Sequence, residues 1–213
     1  MRITIFGATG NIGQRILNEA LQRGHTVTAV SRNPNRPKDL PKPVHFQIGD
    51  IYNQEDVIRL CRDQDLVISA TRPPAGDEHE LADMTCAILA ALAETGTRLL
   101  LMGGAGSLVV PNSGGTLVVD DERFVQSPWR AIALACCEQL AICQKHPQVN
   151  WSYLSPAASL VEGERSNNFR LGKDELLIDN NGDSKISMED LAVAMLNEAE
   201  NPLHHQQRFT LAY

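Results

Sequence analysis

The chain has 213 residues, 43% of them hydrophobic, which suffices for one sizeable core, and no linker-like stretch divides it. A net charge of −7 argues against general affinity for nucleic acid or an anionic membrane, while leaving room for a local basic phosphate site. The five cysteines, at 61, 86, 136, 137 and 143, contain no C-x-x-C pair and read as buried or half-buried thiols of a reducing compartment.

The N-terminus opens directly into a strand-like run, MRITIF, without the character of a signal peptide. The apolar run from Leu81 to Ala93 is broken by Asp83 and is too short to span a bilayer. These features predict a cytoplasmic protein that takes a small-molecule substrate, as a monomer or a homodimer.

Strand-like and helix-like stretches alternate along the chain. Arg2–Phe6 reads as a buried strand. Residues 11–23 place Ile12, Ile16, Leu17, Ala20 and Leu21 on one helical face, with Gly24 as the stop. His25–Val30 is a second strand, followed by the proline-broken loop SRNPNRPKDLPKP, and Val44–Ile48 a third. Asn53 caps a helix to about Arg62. Leu66–Ala70 is a strand, Glu78–Glu94 a helix, and Arg98–Met102 a fifth strand that ends in GGAGS.

Residues 105–126 read as a loop with a short hairpin around Gly114–Gly115. Ser127-Pro128 then opens a helix to His146, with serine as cap and proline at the first helical position. Val149–Leu154 is a sixth strand, stopped by Ser155-Pro156. Residues 160–186 are irregular, with a short strand predicted at Leu176–Asp179. Ser187–Asp190 resembles a capping box with aspartate in place of glutamate, before a helix Leu191–Glu200, and Arg208–Tyr213 is a closing strand.

Repeated β-α units with apolar strands predict a Rossmann-type, doubly wound α/β fold: a mostly parallel sheet with helices on both faces. Residues 1–213 would form one nucleotide-binding domain. Its core is 1–154, and a small C-terminal part, 155–213, completes the sheet and the substrate pocket.

The first strand runs into Gly7-Ala8-Thr9-Gly10-Asn11-Ile12-Gly13 and then into an amphipathic helix. In the G-x-G-x-x-G fingerprint the glycines serve a tight turn, close approach of a diphosphate, and close helix–strand packing. Gly10 and Gly13 match the last two, Ala8 replaces the first, and Gly7 stands one residue earlier. Backbone N–H groups from Thr9 to Gly13 would face the diphosphate, aided by the helix dipole.

At the end of the second strand an acidic residue would bind the ribose hydroxyl of NAD; this chain has Ser31-Arg32, with Arg36 and Lys38 nearby and no acid until Asp39. A guanidinium there clamps a 2′-phosphate, so NADP(H) is the expected cofactor. Asp50 would accept from the adenine amino group, with Ile51 against the ring. Ala70-Thr71-Arg72, Gly103 and Ser155-Pro156-Ala157 end the fourth, fifth and sixth strands, where the ribose and nicotinamide half should pass.

With these residues the chain resembles the atypical short-chain dehydrogenase/reductases, around biliverdin reductase B (flavin reductase) and the NmrA-like regulators. The likeness rests on GATGNIG, Ser31-Arg32, Gly49-Asp50, the strand ends at 70–72 and 102–107, and SPAASLVEGER. It continues through RLGKDELLIDNNGDSKISMEDLAVAMLNE to RFTLAY.

One departure limits what the resemblance implies. Family members that reduce carbonyls use a serine with a Tyr-x-x-x-Lys pair. Here the tyrosines are 52, 153 and 213; four residues after the first two come Asp56 and Ala157, and Tyr213 is last. Ser107 falls near the expected serine position and is the one candidate catalytic residue. What the resemblance then implies is flavin reductase-like chemistry, with hydride passing from NADPH to a flavin, quinone or similar conjugated acceptor. The alternative is a non-catalytic NADPH-binding regulator or redox sensor of the NmrA-like kind.

Other signals carry less. Asp179-x-Asn181-x-Asp183 with Asp190 imitates a calcium loop, but Ser184 stands where glycine is needed, so a polar turn explains it better. His204-His205 and the GDEHE stretch lack the spacing of metal ligands, and no metal is expected. His79 is a weaker acid/base candidate. Trp129 and Arg130 could line the pocket, although a partly buried aromatic beside a surface arginine is the commoner outcome.

Overall fold

The computed structural model describes residues 1–213. Its elements run β1 (Arg2–Phe6), α1 (Asn11–Gln22), β2 (Thr26–Ser31), β3 (His45–Ile48), α2 (Gln54–Cys61), β4 (Leu66–Ser69), α3 (Glu80–Thr95) and β5 (Arg98–Met102). A single 3₁₀ turn at Val118–Asp120 precedes α4 (Ser127–Gln144), β6 (Trp151–Ser155), β7 (Ser159–Val161), β8 (Arg170–Gly172), β9 (Lys185–Ser187), α5 (Met188–Glu200) and β10 (Gln207–Ala212).

Eight strands form one sheet in the order β3-β2-β1-β4-β5-β6-β10-β8, while β7 and β9 pair separately. All neighbours in the large sheet are parallel except β8, which runs antiparallel to β10. This is the Rossmann-type, doubly wound arrangement predicted from the β-α alternation. The order reverses between β1 and β4, opening a crevice at the carboxyl ends of the strands.

Period-2 alternation assigns the two faces. Ile3, Ile5, Ile68 and Leu154 pack with α1 and α5, whereas Phe6, Val67, Leu101 and Tyr153 pack with α2, α3 and α4. A third, smaller cluster of Leu108, Val110, Val118 and Leu176 gathers the 105–126 loop beyond the carboxyl end of the sheet. A Val109–Leu117 bridge with left-handed Gly114 and Gly115 between its arms makes the hairpin expected there. Asn53 caps α2 by accepting from the amides of Glu55 and Asp56.

Several local expectations need correction. Gln126, not Ser127, is the cap residue of α4 and Pro128 sits one position deeper; a side-chain cap is not used. Leu176–Asp179 is not a strand: the sheets take Arg170–Gly172 and Lys185–Ser187 instead, and Leu176 is drawn into the third cluster. Cys86 is exposed on α3, unlike the other four thiols. Ser187 caps α5 by accepting from the Asp190 amide, but the Asp190 carboxylate does not close the box. It is fully buried and accepts from Ser166 Oγ (2.5 Å), the Asn167 amide (2.7 Å) and the Tyr213 hydroxyl (2.9 Å). The polar turn expected at 179–183 does form, with Asp179 accepting from the amides of Asn181 and Asp183.

Ion pairs tie the 162–168 segment to α1. Glu19, 5% exposed, accepts two bonds from Arg165 at 2.8 Å and one from Arg23 at 2.7 Å. The Arg165 guanidinium holds its carboxyl below the ordinary 4.5, burial opposes this, and Arg23 adds to the lowering. A carboxyl depressed on folding contributes stability above its unfolded pKa and loses that contribution as pH falls through the folded value. Denaturant midpoints should therefore decline as pH falls below about 4.5. Glu19→Gln should flatten that decline; an unchanged acid limb would mean that the cluster carries no linkage.

Candidate functional site

The crevice at the β1/β4 switch point is built around the glycine loop. Gly7 has φ of +78°, and a Cβ there would lie 2.5 Å from the Ala70 carbonyl oxygen, so its lack of a side chain seats the turn against the end of β4. A Cβ on Gly13 would lie 2.0 Å from the Gly7 carbonyl oxygen, so α1 can approach β1 only through glycine. Over Gly10 the nearest atom is that same oxygen at 3.3 Å, and both Gly10 and Thr9 are exposed.

The Gly10 amide donates to Gly7, and the first bond of α1 comes from Gln14 to Gly10. The amides of Asn11, Ile12 and Gly13 precede that bond. Gly10 provides no side-chain cap, and no acidic residue occupies the first turn. An uncapped, acid-free helix start beside an open glycine fits the diphosphate of a dinucleotide.

The basic residues after β2 divide by role. Arg36 donates to the carbonyls of Val44 (3.0 Å) and Pro41 (2.8 Å) and so braces its own loop. Arg32 is exposed and makes no such bond, while Ser31 Oγ accepts from the Asn33 amide. Asp50 is half-buried; one of its oxygens accepts from the Tyr52 amide, so the residue also makes a turn. Ile51 is 5% exposed and packs into the α2–α3 face, which leaves Asp50 as the more accessible of the two.

At the reactive end, Thr71 Oγ1 lies 3.1 Å from Ser69 Oγ, and the Arg72 guanidinium sits over the Trp129 ring. A Cβ on Gly103 would collide with the Tyr153 ring at 2.0 Å, and one on Gly104 would lie 2.8 Å from Cys136 Cβ. The floor is thus bare backbone laid on β6 and α4. Ser155, Pro156 and Ala157 are buried beside it. Ser107 Oγ accepts from Arg208 at 2.8 Å, and Arg208 is paired in turn with Asp174 at 2.6 Å.

The tyrosine hydroxyls are engaged elsewhere. Tyr52 donates to Glu80 at 2.6 Å, and burial, with that carboxylate's help, raises its pKa. Tyr153 is fully buried, donates to the Cys136 carbonyl and lies 3.0 Å from Gln139 Oε1; burial pushes its pKa well up. Tyr213 is bound to Asp190. Burial likewise raises the Cys136 thiol, to about 12. His79 is exposed at the start of α3, His204 pairs with Glu198 and stacks on Phe209, and Arg130 donates to Val119 and Asp120.

Two contributors escaped the sequence reading. Gln14 donates to the Thr9 carbonyl, and Arg15 grips both oxygens of Asn11 while pairing with Glu189 at 2.6 Å. The four-residue spacing of Asn11 and Arg15 is a helical contact that could have signalled the second.

Comparison with known proteins agrees with this geometry. A family model described as NAD(P)H-binding matches residues 7–202. An uncharacterised protein of Bacillus subtilis, YwnB, is 35% identical over 99% of this chain and 98% of its own. A candidate epimerase from Bacteroides thetaiotaomicron superposes with a TM-score of 0.91 at 36% identity, covering 100% of this chain and 96% of that one. A candidate NADH-flavin reductase from Streptococcus pneumoniae does so with 0.86 at 28%, covering 100% and 99%. The glycine loop, the switch-point crevice and these matches place the chain in the NAD(P)H-binding family, on a Rossmann-type doubly wound fold.

Proposed function

We propose that the protein is an NADPH-dependent oxidoreductase that passes hydride to a flavin, quinone or similar conjugated acceptor without a Tyr-x-x-x-Lys pair. The observation that carries this reading is the pairing of two features at the carboxyl ends of β1 and β2: an uncapped, acid-free start of α1 beside the switch-point crevice, and Arg32, exposed and free of any ion pair. NADPH, when bound, supplies the hydride, and the reduced acceptor takes its proton from water.

The chain's own part is binding, alignment and exclusion of solvent. Gly7, Thr9, Gly10, Asn11, Ile12 and Gly13 hold the diphosphate, and Ser31 and Arg32 hold the 2′-phosphate. Asp50 flanks the adenine, with Ile51 buried behind it in the α2–α3 face; Ala70 and Thr71 flank the ribose, with Arg72 beside them. Gly103, Ser155, Pro156 and Ala157 close the nicotinamide end against water. Ser107, already accepting from Arg208, keeps its own O–H free to donate a hydrogen bond that orients the acceptor, while the proton itself comes from water. Ser107→Ala should lower kcat less than about tenfold, since a neutral hydroxyl bond is worth roughly 1 kcal/mol.

Two experiments test the reading. Loss of dihydronicotinamide absorbance should follow addition of a flavin or quinone. Arg32→Ala should raise the Kd for NADPH about 10- to 100-fold, and that for NADH far less, as a charge-assisted contact predicts. Equal losses would remove Arg32 from the 2′-phosphate. Tight NADPH binding with no turnover on any acceptor would replace the enzyme by the second reading, a non-catalytic NADPH-binding regulator or redox sensor. The engagement of all three tyrosine hydroxyls elsewhere favours that alternative.

A further inference from the structure

The arginines near the mouth of the crevice are not equivalent. Arg123 is paired with Asp121 at 2.5 Å and Arg130 with Asp120 at 3.0 Å. Arg72 instead has its guanidinium carbon 5.4 Å from the centroid of the Trp129 ring and no carboxylate in ion-pair contact.

That tryptophan is 56% exposed, against 2% for Trp151, the other one in the chain. A large aromatic left in water costs the burial it forgoes, and holding an arginine over it confines two side chains. The contact also spans two elements, joining the end of β4 to the first turn of α4. It stands on the side of the reactive end, because Cys136, about two helical turns further along α4, lies against Gly104 and feels the Arg72 charge.

We propose that Arg72 and Trp129 form an acceptor clamp that selects planar conjugated acceptors carrying an oxyanion, phosphate or carboxylate. The exposed indole face offers stacking area to the ring system. The guanidinium, stacked but not neutralised, offers its N–H fork to the acid group. This specificity rests on the reductase reading given above, and assigns Arg72 to the acceptor rather than to the cofactor.

The test compares FMN with riboflavin, which share the isoalloxazine ring and differ in the phosphate. In steady state, kcat/KM for FMN should exceed that for riboflavin about tenfold, the value of one charge-assisted contact. Arg72→Ala should bring the two values together, and Arg72→Lys should keep much of the preference. Trp129→Ala should lower both. A naphthoquinone with and without a carboxylate, run in parallel, distinguishes which oxyanion is read.

A binding arm stands apart from turnover. In a Trp151→Phe background Trp129 is the sole tryptophan, and FMN should quench it at lower concentration than riboflavin does. Quenching with that order but no turnover would retain the clamp and sink the reductase. Turnover that is equal for FMN and riboflavin would sink the clamp and retain the reductase. A preference unaltered in Arg72→Ala, or a loss confined to NADPH affinity, would return Arg72 to the cofactor.

Discussion

Gly13→Ala is expected to destabilise the chain by about 3 kcal/mol and to abolish cofactor binding, because the new methyl meets backbone that cannot swing aside. The atoms in its way are the Gly7 carbonyl at 2.0 and 2.8 Å and Ala8 Cα at 3.0 Å. Relief requires α1 to lift from β1, which opens the packing of Ile16, Leu17 and Ala20 against the sheet and moves the first-turn amides off the crevice. Gly10→Ala is the contrasting change, since its methyl meets only one oxygen at 3.3 Å. It should leave the unfolding free energy of the apo protein, read from urea titration, within about 0.5 kcal/mol of wild type while weakening NADPH binding by an order of magnitude or more. Equal unfolding midpoints for the two variants, or unimpaired NADPH binding by Gly13→Ala, would remove the glycines from the roles assigned to them.

Glu198→Ala should cost about 3–5 kcal/mol, the penalty for leaving a buried charge without its partner. Glu198, whose side chain is 3% exposed, accepts from Arg98 at 2.7 Å, from Ser152 Oγ at 3.3 Å, and from the Leu203 and His204 amides at 3.2 and 3.1 Å. Its other oxygen lies 2.7 Å from His204 Nδ1. Arg98, 11% exposed, has no other carboxylate to turn to, though it also donates to the Glu198 and Ala199 carbonyls. Replacing both charges, as Arg98→Met with Glu198→Leu, should recover much of the loss, because the desolvation cost vanishes with the pair. The cluster lies where β5 begins, at the opposite end of the sheet from the crevice. Cofactor affinity of the folded fraction should therefore hold constant in a thermal and calorimetric comparison, and a matching fall in affinity would show that the two ends are coupled.

The repeating β-α order was legible because the central strands β1, β4 and β6 bury both faces while helices such as α1 bury one, patterns that a local window contains. Asn53 could be read as a cap and Gly7–Gly13 as a nucleotide loop for the same reason: both depend on neighbours a few residues away. Contacts made across the fold could not be read in this way. Arg32 and Arg36 look alike in a basic loop, and only the path of the chain gives Arg36 the Val44 and Pro41 carbonyls. Asp190 has the position of a capping-box acid but is claimed by Ser166, Asn167 and Tyr213, groups brought together from two other places in the chain. Leu176–Asp179 has the composition of a strand, yet the third apolar cluster takes Leu176, and Arg170–Gly172 fills the sheet edge. The Arg72–Trp129 contact joins residues 57 positions apart (129 − 72), beyond the reach of any periodicity.

The seating of Gly7 against the Ala70 carbonyl also bears on the order in which the chain acquires its competence. β1, α1 and β2 form from neighbouring sequence, but the phosphate-binding turn is complete only when β4, some sixty residues later, has docked beside β1 in register, Phe6 opposite Ser69. Non-local pairing of that kind is slow relative to helix formation. Nucleotide capture during refolding should consequently lag the recovery of helical signal, and a fragment ending before Leu66 should hold no cofactor however well its first β-α-β unit forms. Once β4 is in place, bound nucleotide favours the assembled sheet by mass action and draws the late step to completion.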